Sequence, residues 1–259
     1  MTSPGQVRTL DTLDALVEAT GGHPVTVLDV GSGFRAPAYA VGTGAATTVA
    51  FHRRSDHGIP GSAVLGTGEG LAALLSDPRV RSWLLGDGNR HLSVPRGLVG
   101  VVEAALDLGP RGGEWDWMFT RDAPPPVPGE EEVIVLDPSS RDEADALLTA
   151  HSPRTHGQPF ARPAQRWVGV RDPGTGALVA LGGSEPAPSG IPTLAGIAVA
   201  ADRRGRGWGA AVTAHLTRTA VIDTGACALG MFADNDTARR VYHRLGFTTA
   251  MEWTSRWFG

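Results

Sequence analysis

A chain of 259 residues is long for one domain and comfortable for two. Its content of 41% hydrophobic and 19% charged residues is typical of a soluble globular protein. A formal net charge of −4 argues against a general nucleic-acid binder. No apolar run approaches the roughly 20 residues that a membrane span needs, so no membrane partner is expected. The amino terminus lacks a signal-peptide pattern and Cys227 is the single cysteine, which favours a cytoplasmic location.

The first half of the chain, residues 1–122, reads as an N-terminal α/β domain. A helix is predicted near 9–19 and a strand at 114–119. The remaining predictions are strands near 25–30 and 45–52 and helices near 69–85 and 94–107. The stretch VTVLDVGSG at 25–33 resembles the first motif of class I methyltransferases. Pro37, Gly42 and Gly44 interrupt the helix that should follow it, so we interpret its glycines as turn residues.

A proline-rich stretch, RDAPPPVPGEEE, separates the two halves. Proline cannot continue a helix or a central strand, so residues 123–131 are predicted to form an extended linker. Residues 132–259 then form a second domain. Its pattern predicts the order β-α-β-β-β-α-β-α-β, with strands and helices alternating in a mixed sheet. The fold class of the chain is therefore α/β, of the α+β mixed-sheet type.

The most informative stretch of the second domain is AADRRGRGWGAAV, 200–212. It follows a predicted strand and precedes a predicted helix, whose first backbone NH groups attract anions. Such a turn can hold a phosphate, although an ordinary surface turn has the same composition. An arginine-glycine nucleic-acid segment would be repeated and would lie in a basic chain. A P-loop needs lysine, and the sequence contains none.

A second motif supports the phosphate interpretation. Arg204-x-x-Gly207-x-Gly209 is followed downstream by NDTARRVYHRLGF, 235–247. Together the two motifs resemble the GNAT superfamily of acyl-CoA-dependent N-acetyltransferases over about residues 131–257. The predicted order of elements is also that of this family. The first half carries neither motif, and we interpret it as a possible degenerate tandem GNAT-like domain that braces the second half.

The resemblance implies a set of residues that bind acetyl-CoA. The turn amides would hold the pyrophosphate, the preceding strand would pair with the pantetheine arm, and one helix of the second motif would contact the same arm. The implied cofactor-binding residues are Ile197, Ala198, Val199, Arg204, Gly205, Arg206, Gly207, Trp208, Gly209, Asn235 and Arg239.

The resemblance also implies that Tyr242 is the general acid, donating a proton to the departing thiolate. The family's usual glutamate is missing from IPTLAGIAV, 191–199. Glu185 is the first candidate for the general base and His151 the second, and each can equally be an ordinary loop residue. Histidine pairs at 52/57 and 151/156 lack the further ligands that a metal site needs, so no metal is expected.

The sequence therefore predicts direct transfer of an acetyl group from acetyl-CoA to a primary amine. The acceptor would be a small molecule or a peptide. The alternative is a non-catalytic acyl-CoA-binding module or sensor, which the missing strand glutamate favours and Tyr242 disfavours.

Overall fold

The computed structural model describes residues 5–54, 58–86 and 88–259. The chain forms two compact units, and neither is a continuous stretch of sequence. The first unit comprises Met1–Trp117, Phe232–Asp234 and Ala250–Gly259. The second comprises Met118–Met231 and Asn235–Thr249. Within the described residues, none of the helices combines the length and the apolarity that a membrane crossing requires.

The first unit is a mixed sheet with short helices. Its strands are ordered β1-β2-β3-β4-β5-β12-β6, so the last strand of the chain lies between two strands of the first unit. The strands are β1 (Arg8–Leu10), β2 (Ala38–Val41), β3 (Thr48–Arg54), β4 (Pro60–Leu65), β5 (His91–Pro95), β6 (Leu108–Thr120) and β12 (Thr248–Phe258). The helices are α1 (Leu13–Ala19), α2 (Gly68–Ser76), α3 (Pro78–Leu85) and α4 (Val99–Glu103).

The core of the first unit forms between its sheet and these helices. Leu71, Leu74 and Leu75 recur at helical spacing along α2 and are buried. They share one apolar cluster with Val64 of β4 and Leu92 of β5. Strands β2 to β5 are buried at nearly every position, so side chains on both of their faces lie in the interior.

One predicted strand of the first unit is wrong. Val25–Val30 forms a π-helical turn, followed at once by a 3₁₀ turn at Gly31–Gly33. The predicted helix at 69–85 is divided, because Asp77 ends α2 and caps α3, whose first residue is Pro78.

From β7 to the end of the chain the elements follow the predicted order, and most of the last strand, β12, belongs to the first unit. The sheet of the second unit is ordered β11-β10-β9-β8-β7, antiparallel except for the parallel pair β10–β11. The strands are β7 (Ile134–Leu136), β8 (Arg166–Arg171), β9 (Leu178–Pro186), β10 (Pro192–Val199) and β11 (Cys227–Phe232). The helices are α5 (Arg141–His151), α6 (Trp208–Thr224) and α7 (Asp236–Arg244). The predicted α/β mixed-sheet fold is thus confirmed.

Helix α6 is the centre of the second unit's core. Its buried side chains are small or branched, as in Ala211, Val212 and Ala214, which lets the helix lie close to the sheet. Gly182 of β9 admits this approach, because a Cβ there would lie 2.8 Å from Cγ1 of Val212. The close packing fixes the start of α6 relative to the end of β10.

Candidate active site

Strand β10 is irregular in its middle. Its register against β9 shifts between Ala195 and Ala198. Gly196, which lies in this interval, has a φ of 66°. Side chains rarely adopt that conformation, so glycine is the residue that suits this β-bulge.

Among the described residues, the pairing of β10 with β11 lies before the bulge. The parallel register between them joins Thr193 to Ala228 and Leu194 to Leu229. Residues 197–199, which the sequence predicts to pair with pantetheine, lie beyond these two pairs. The edge of β10 that faces β11 therefore offers backbone groups to an extended ligand at this point.

The indole of Trp167 in β8 holds the bulge in place. A Cβ at Gly196 would lie 2.8 Å from Cη2 of this ring, and one at Gly183 would lie 2.7 Å from Cε2. Gly157 also borders the ring, and a Cβ there would lie 3.1 Å from Cη2. The indole thus occupies the space that three glycines leave open. Sequence reasoning missed this arrangement, although a glycine within a strand is the signal that marks a bulge.

The chain leaves β10 through the glycine turn. A 3₁₀ turn at Ala201–Arg203 is followed by Gly205 with φ 76° and Gly207 with φ 88°. A Cβ at either glycine would have no heavy atom within 4 Å. Glycine is therefore required here by the left-handed backbone, while the space around the turn is open.

Helix α6 begins directly after this turn. Gly207 precedes its first residue, Trp208, and no side chain caps the helix. The first internal hydrogen bond runs from the Ala211 NH to the Gly207 carbonyl, at 3.0 Å. The NH groups before it have no partner inside the helix, and the helix dipole is positive at this end. This geometry suits an anion such as a phosphate.

The three arginines of the turn have different environments. Arg203 forms ion pairs with Asp172, at 2.9 Å, and with Asp202, at 2.7 Å. Its hydrogen bonds lower the pKa of Asp172. Arg204 donates to the Val199 and His151 carbonyls, at 3.3 and 3.0 Å, and so ties the turn to the ends of β10 and α5. Arg206 is exposed and makes no hydrogen bond or ion pair within the described residues. Its charge is thus available to a ligand.

The ring of Trp208 packs against the proline-rich segment. Gly129 has a φ of 82°, and a Cβ there would lie 2.7 Å from Cζ3 of Trp208. Farther along α6, Arg218 donates to both carboxylate oxygens of Glu130, at 2.9 and 3.1 Å. These hydrogen bonds lower the pKa of Glu130. The predicted linker therefore carries two attachments to α6, one of them at the residue that begins the helix.

Asn235 and Arg239 lie at the start of α7. Asn235 caps this helix, its Oδ1 accepting from the Ala238 NH at 3.1 Å. Arg239 lies 3.5 Å from Asp236 within the same turn of the helix. The cap explains a local role for Asn235, while its side-chain NH₂ group is left to contact a ligand.

Tyr242 is buried on the inner side of α7. Only 9% of it is exposed, and its ring centroid lies 6.0 Å from that of Phe247. It belongs to one apolar cluster with Ala198 of β10 and Ala211 of α6. Burial raises the pKa of its hydroxyl to about 12. The phenol therefore keeps its proton throughout the neutral range and is a hydrogen-bond donor there.

Glu185 lies in β9, directly opposite Thr193 of β10. Both of its carboxylate oxygens accept from Arg162, and Nε2 of Gln165 donates to one of them at 2.9 Å. The loop that carries Arg162 has left-handed backbone at Phe160, with φ 55°, and at Ala164, with φ 65°. Such conformations in side-chain-bearing residues are costly and often occur at functional sites. Sequence reasoning placed Glu185 near the site but could not foresee this ion pair.

Metal ligands do not converge anywhere in the described chain. Among residues 5–54, 58–86 and 88–259, no group of three or more His, Cys, Asp and Glu side chains is placed to hold an ion. His57, one of the paired histidines, lies outside the described residues. Cys227 is buried in β11, and burial raises the pKa of its thiol to about 12.

Solved structures share this architecture over nearly the whole chain. A crystal structure from Novosphingobium aromaticivorans, assigned to the GNAT family, has 22% identity and a TM-score of 0.52, covering 93% of this chain and 95% of that one. A GCN5-related N-acetyltransferase from Kribbella flavida has 17% identity and a TM-score of 0.53, covering 96% of each chain. A Drosophila protein has 13% identity and a TM-score of 0.58, covering 97% and 98%. Because all three sequence identities are low, the similarity to these structures establishes a shared fold and nothing further.

The bulged strand, the glycine turn and the uncapped helix together define an acyltransferase domain. The sequence model described as the acetyltransferase (GNAT) family matches residues 130–247. Residues 130–247 are thus a GNAT acetyltransferase domain, as the two motifs predicted, and this match supports an acyltransferase. No curated protein matches the sequence. The degenerate GNAT-like character of the first half stays a prediction.

Proposed function

We propose that the chain transfers an acetyl group from acetyl-CoA to a primary amine of a small molecule or peptide. The observation that carries this proposal is the continuous path from the open edge of β10 through the left-handed turn to the uncapped start of α6. An extended thioester with a diphosphate at one end fits such a path. Its amide-bearing arm can pair with a strand edge, and its phosphates suit free NH groups.

The residues of this path have separate roles in the proposal. The backbone at 197–199 binds the pantetheine arm, and the NH groups from Arg204 to Gly209 hold the diphosphate. Arg206 adds a positive charge that no side chain among the described residues neutralises. Asn235 contacts the arm from the start of α7, and Arg239 reaches the charged end of the cofactor. The NH near Val199 stabilises the negative charge that develops on the carbonyl oxygen during attack.

Tyr242 provides the proton for the leaving group. As the amine nitrogen bonds to the acyl carbon and the carbon–sulfur bond breaks, the hydroxyl of Tyr242 gives its proton to the thiolate sulfur. The raised pKa keeps this proton in place before the reaction. Proton transfer from a buried phenol requires the negative charge to be already developing on the sulfur.

The amine must lose a proton, and Glu185 is the proposed acceptor. Its carboxylate is held by Arg162 and Gln165, so its position is fixed. The same contacts leave few lone pairs for the amine, and a water molecule can relay the proton instead. If the ion pair with Arg162 is the only role of Glu185, the chain corresponds to the alternative, a non-catalytic acyl-CoA-binding module. The buried free thiol of Cys227 fits the proposed cytoplasmic location.

Release of free thiol from acetyl-CoA tests the proposal directly. The chain is incubated with acetyl-CoA and a panel of primary amines, and a thiol reagent reports the product. Cys227 gives little background, because it is buried and protonated. Tyr242→Phe should lower kcat by about a hundredfold or more with little change in the affinity for CoA. Saturable CoA binding without thiol release from any amine would instead support the binding module.

A further inference from the structure

Arg53 on β3 in the first unit is nearly enclosed yet only partly bonded. Its side chain is 6% exposed, and its Nε donates to Oδ2 of Asp29 at 2.6 Å. Its terminal nitrogens Nη1 and Nη2 make no hydrogen bond within the described residues. The 6% exposure of the side chain shows that it is not fully sealed from solvent.

Asp29 holds Arg53 in one orientation. The aspartate lies on the π-helical turn Val25–Val30, and its side chain is 11% exposed. A buried guanidinium needs such a partner, because an unpaired charge in a low-dielectric interior is costly. Since Nε is already used, the edge that carries Nη1 and Nη2 faces away from this bond. That edge presents parallel N–H groups at the spacing of a carboxylate's two oxygens.

Trp115 of β6 forms an aromatic wall beside the guanidinium. Cζ of Arg53 lies 4.8 Å from the centroid of this ring, within the range of a cation–π contact. The indole is itself fixed, because its Nε1 donates to Oγ of Ser255 at 2.8 Å. It also stacks on Trp253, with ring centroids 5.9 Å apart. The charge and the ring are therefore both preorganised.

We propose that Arg53, Asp29 and Trp115 form a binding site in the first unit for a small molecule that carries a single carboxylate. The carboxylate accepts two hydrogen bonds from Nη1 and Nη2 of Arg53, and an apolar or aromatic portion of the ligand lies against the part of the half-buried Trp115 indole that Arg53 and Trp253 leave uncovered. This inference is independent of the acyl transfer proposed for the second unit.

The charges of the cluster favour a monoanion. The guanidinium contributes one positive charge and the Asp29 carboxylate one negative charge, so the cluster as a whole is neutral. Moving a dianion such as phosphate into this nearly enclosed site would cost more desolvation free energy than moving a monoanion, because that cost grows with the square of the charge. A neutral amide would lose one of the two acceptor oxygens. The site should therefore discriminate by both charge and shape.

Fluorine NMR of 4-fluorobenzoate with the full chain tests this inference. The uncharged 4-fluorobenzamide has the same shape, and acetate and inorganic phosphate are the competitors. Arg53→Gln and Arg53→Lys are the test variants, and the lysine keeps a charge beside Asp29 while losing the fork. Arg54→Gln is the matched control, because the neighbouring side chain points to the other face of the strand and is exposed.

We expect saturable broadening of the benzoate signal, competition by acetate and no comparable effect on the benzamide. The dissociation constant should rise at least tenfold in Arg53→Gln and Arg53→Lys and stay within twofold in Arg54→Gln. If circular dichroism shows that Arg53→Gln is unfolded, the dissociation constant measured for Arg53→Lys is the test. Absence of saturable binding, equal binding by the Arg53 variants, or stronger competition by phosphate than by acetate would overturn the inference.

Discussion

The bulge in β10 can be tested by adding one methyl group. Gly196→Ala places a Cβ 2.8 Å from Cη2 and 3.0 Å from Cζ3 of Trp167. It also forces a side-chain-bearing residue to a φ of 66°. Gly190→Ala is the matched control, because Gly190 has a φ of 90° and open space where its Cβ would lie. The control carries the backbone cost without the steric overlap.

The two costs can be estimated separately. A left-handed conformation costs a side-chain-bearing residue about 1–2 kcal/mol, and both variants incur it. The overlap with Trp167 adds about 1–3 kcal/mol, because the indole is 2% exposed and cannot move aside without displacing its neighbours. Gly196→Ala should therefore lower the free energy of unfolding by about 2–5 kcal/mol, against about 1–2 kcal/mol for Gly190→Ala.

Urea denaturation monitored by circular dichroism measures this difference in the free energy of unfolding. Titration with CoA shows whether the bulge also positions the ligand. Gly196→Ala should weaken CoA binding, while Gly190→Ala should leave it unchanged. Trp167→Phe removes the atoms that clash, so it should cost less in the Gly196→Ala background than alone. If the two glycine variants lose equal stability, Trp167 does not hold the bulge and the reasoning fails.

Three further predictions concern single side chains. Glu185→Gln should lower kcat/KM by about a hundredfold with little change in the dissociation constant of CoA, and an unchanged kcat/KM would exclude Glu185 as the base. Arg206→Gln should raise the dissociation constant of CoA by up to about fivefold without altering the thermal midpoint, and equal affinities would contradict its phosphate role. Because burial raises the pKa of Tyr242 to about 12, its contribution to stability is complete below pH 10 and is lost as the pH rises towards 12. Tyr242→Phe should remove about 3 kcal/mol of that alkaline loss, and identical alkaline denaturation in both proteins would contradict its burial.

The second half of the chain was predictable because its sequence patterns agree with one another. Short β-branched runs alternate with amphipathic segments, and glycines mark the ends of α6 and α7 at Gly225 and Gly246. Each local preference points to the same fold, which is the condition under which pattern reading succeeds. The proline-rich stretch predicted a boundary for the same reason, but its packing against Trp208 depends on contacts distant in sequence.

The first half was harder because its apolar runs are ambiguous. VTVLDV at 25–30 has the composition of a strand, and a short apolar run cannot be distinguished from a buried helical turn by periodicity. Contacts with residues distant in sequence determine that this run forms a helical turn. Asp29 meets Arg53 from within this turn, at 2.6 Å, and that long-range ion pair has no local signal. The strand pairing of β12 with β5, where Ser255 lies opposite Ser93, is equally invisible in the order of the sequence.

The glycine turn could be located from its spacing alone, whereas the surroundings of the candidate base could not. Gly205 and Gly207 both adopt positive φ, and Gly207 is one of the two glycines that the motif fixes. Glu185 and Arg162 are 23 residues apart, and nothing in either segment indicates that the two side chains meet. Motifs therefore predict backbone geometry better than they predict the partners of a charged side chain.

The glycines at the two ends of this path meet different physical demands, and this difference separates ligand binding from folding. Gly196 must lack a Cβ because the core of the unit, in the form of Trp167, already fills that space. Gly205 and Gly207 face open space, so their requirement is conformational only. A substitution at the bulge therefore disturbs the packing of β8, β9 and β10, whereas a substitution in the turn changes mainly the positions of its backbone NH groups. The strand owes its position to the core, whereas the turn owes its shape to its left-handed glycines and to the contacts of Arg203 and Arg204.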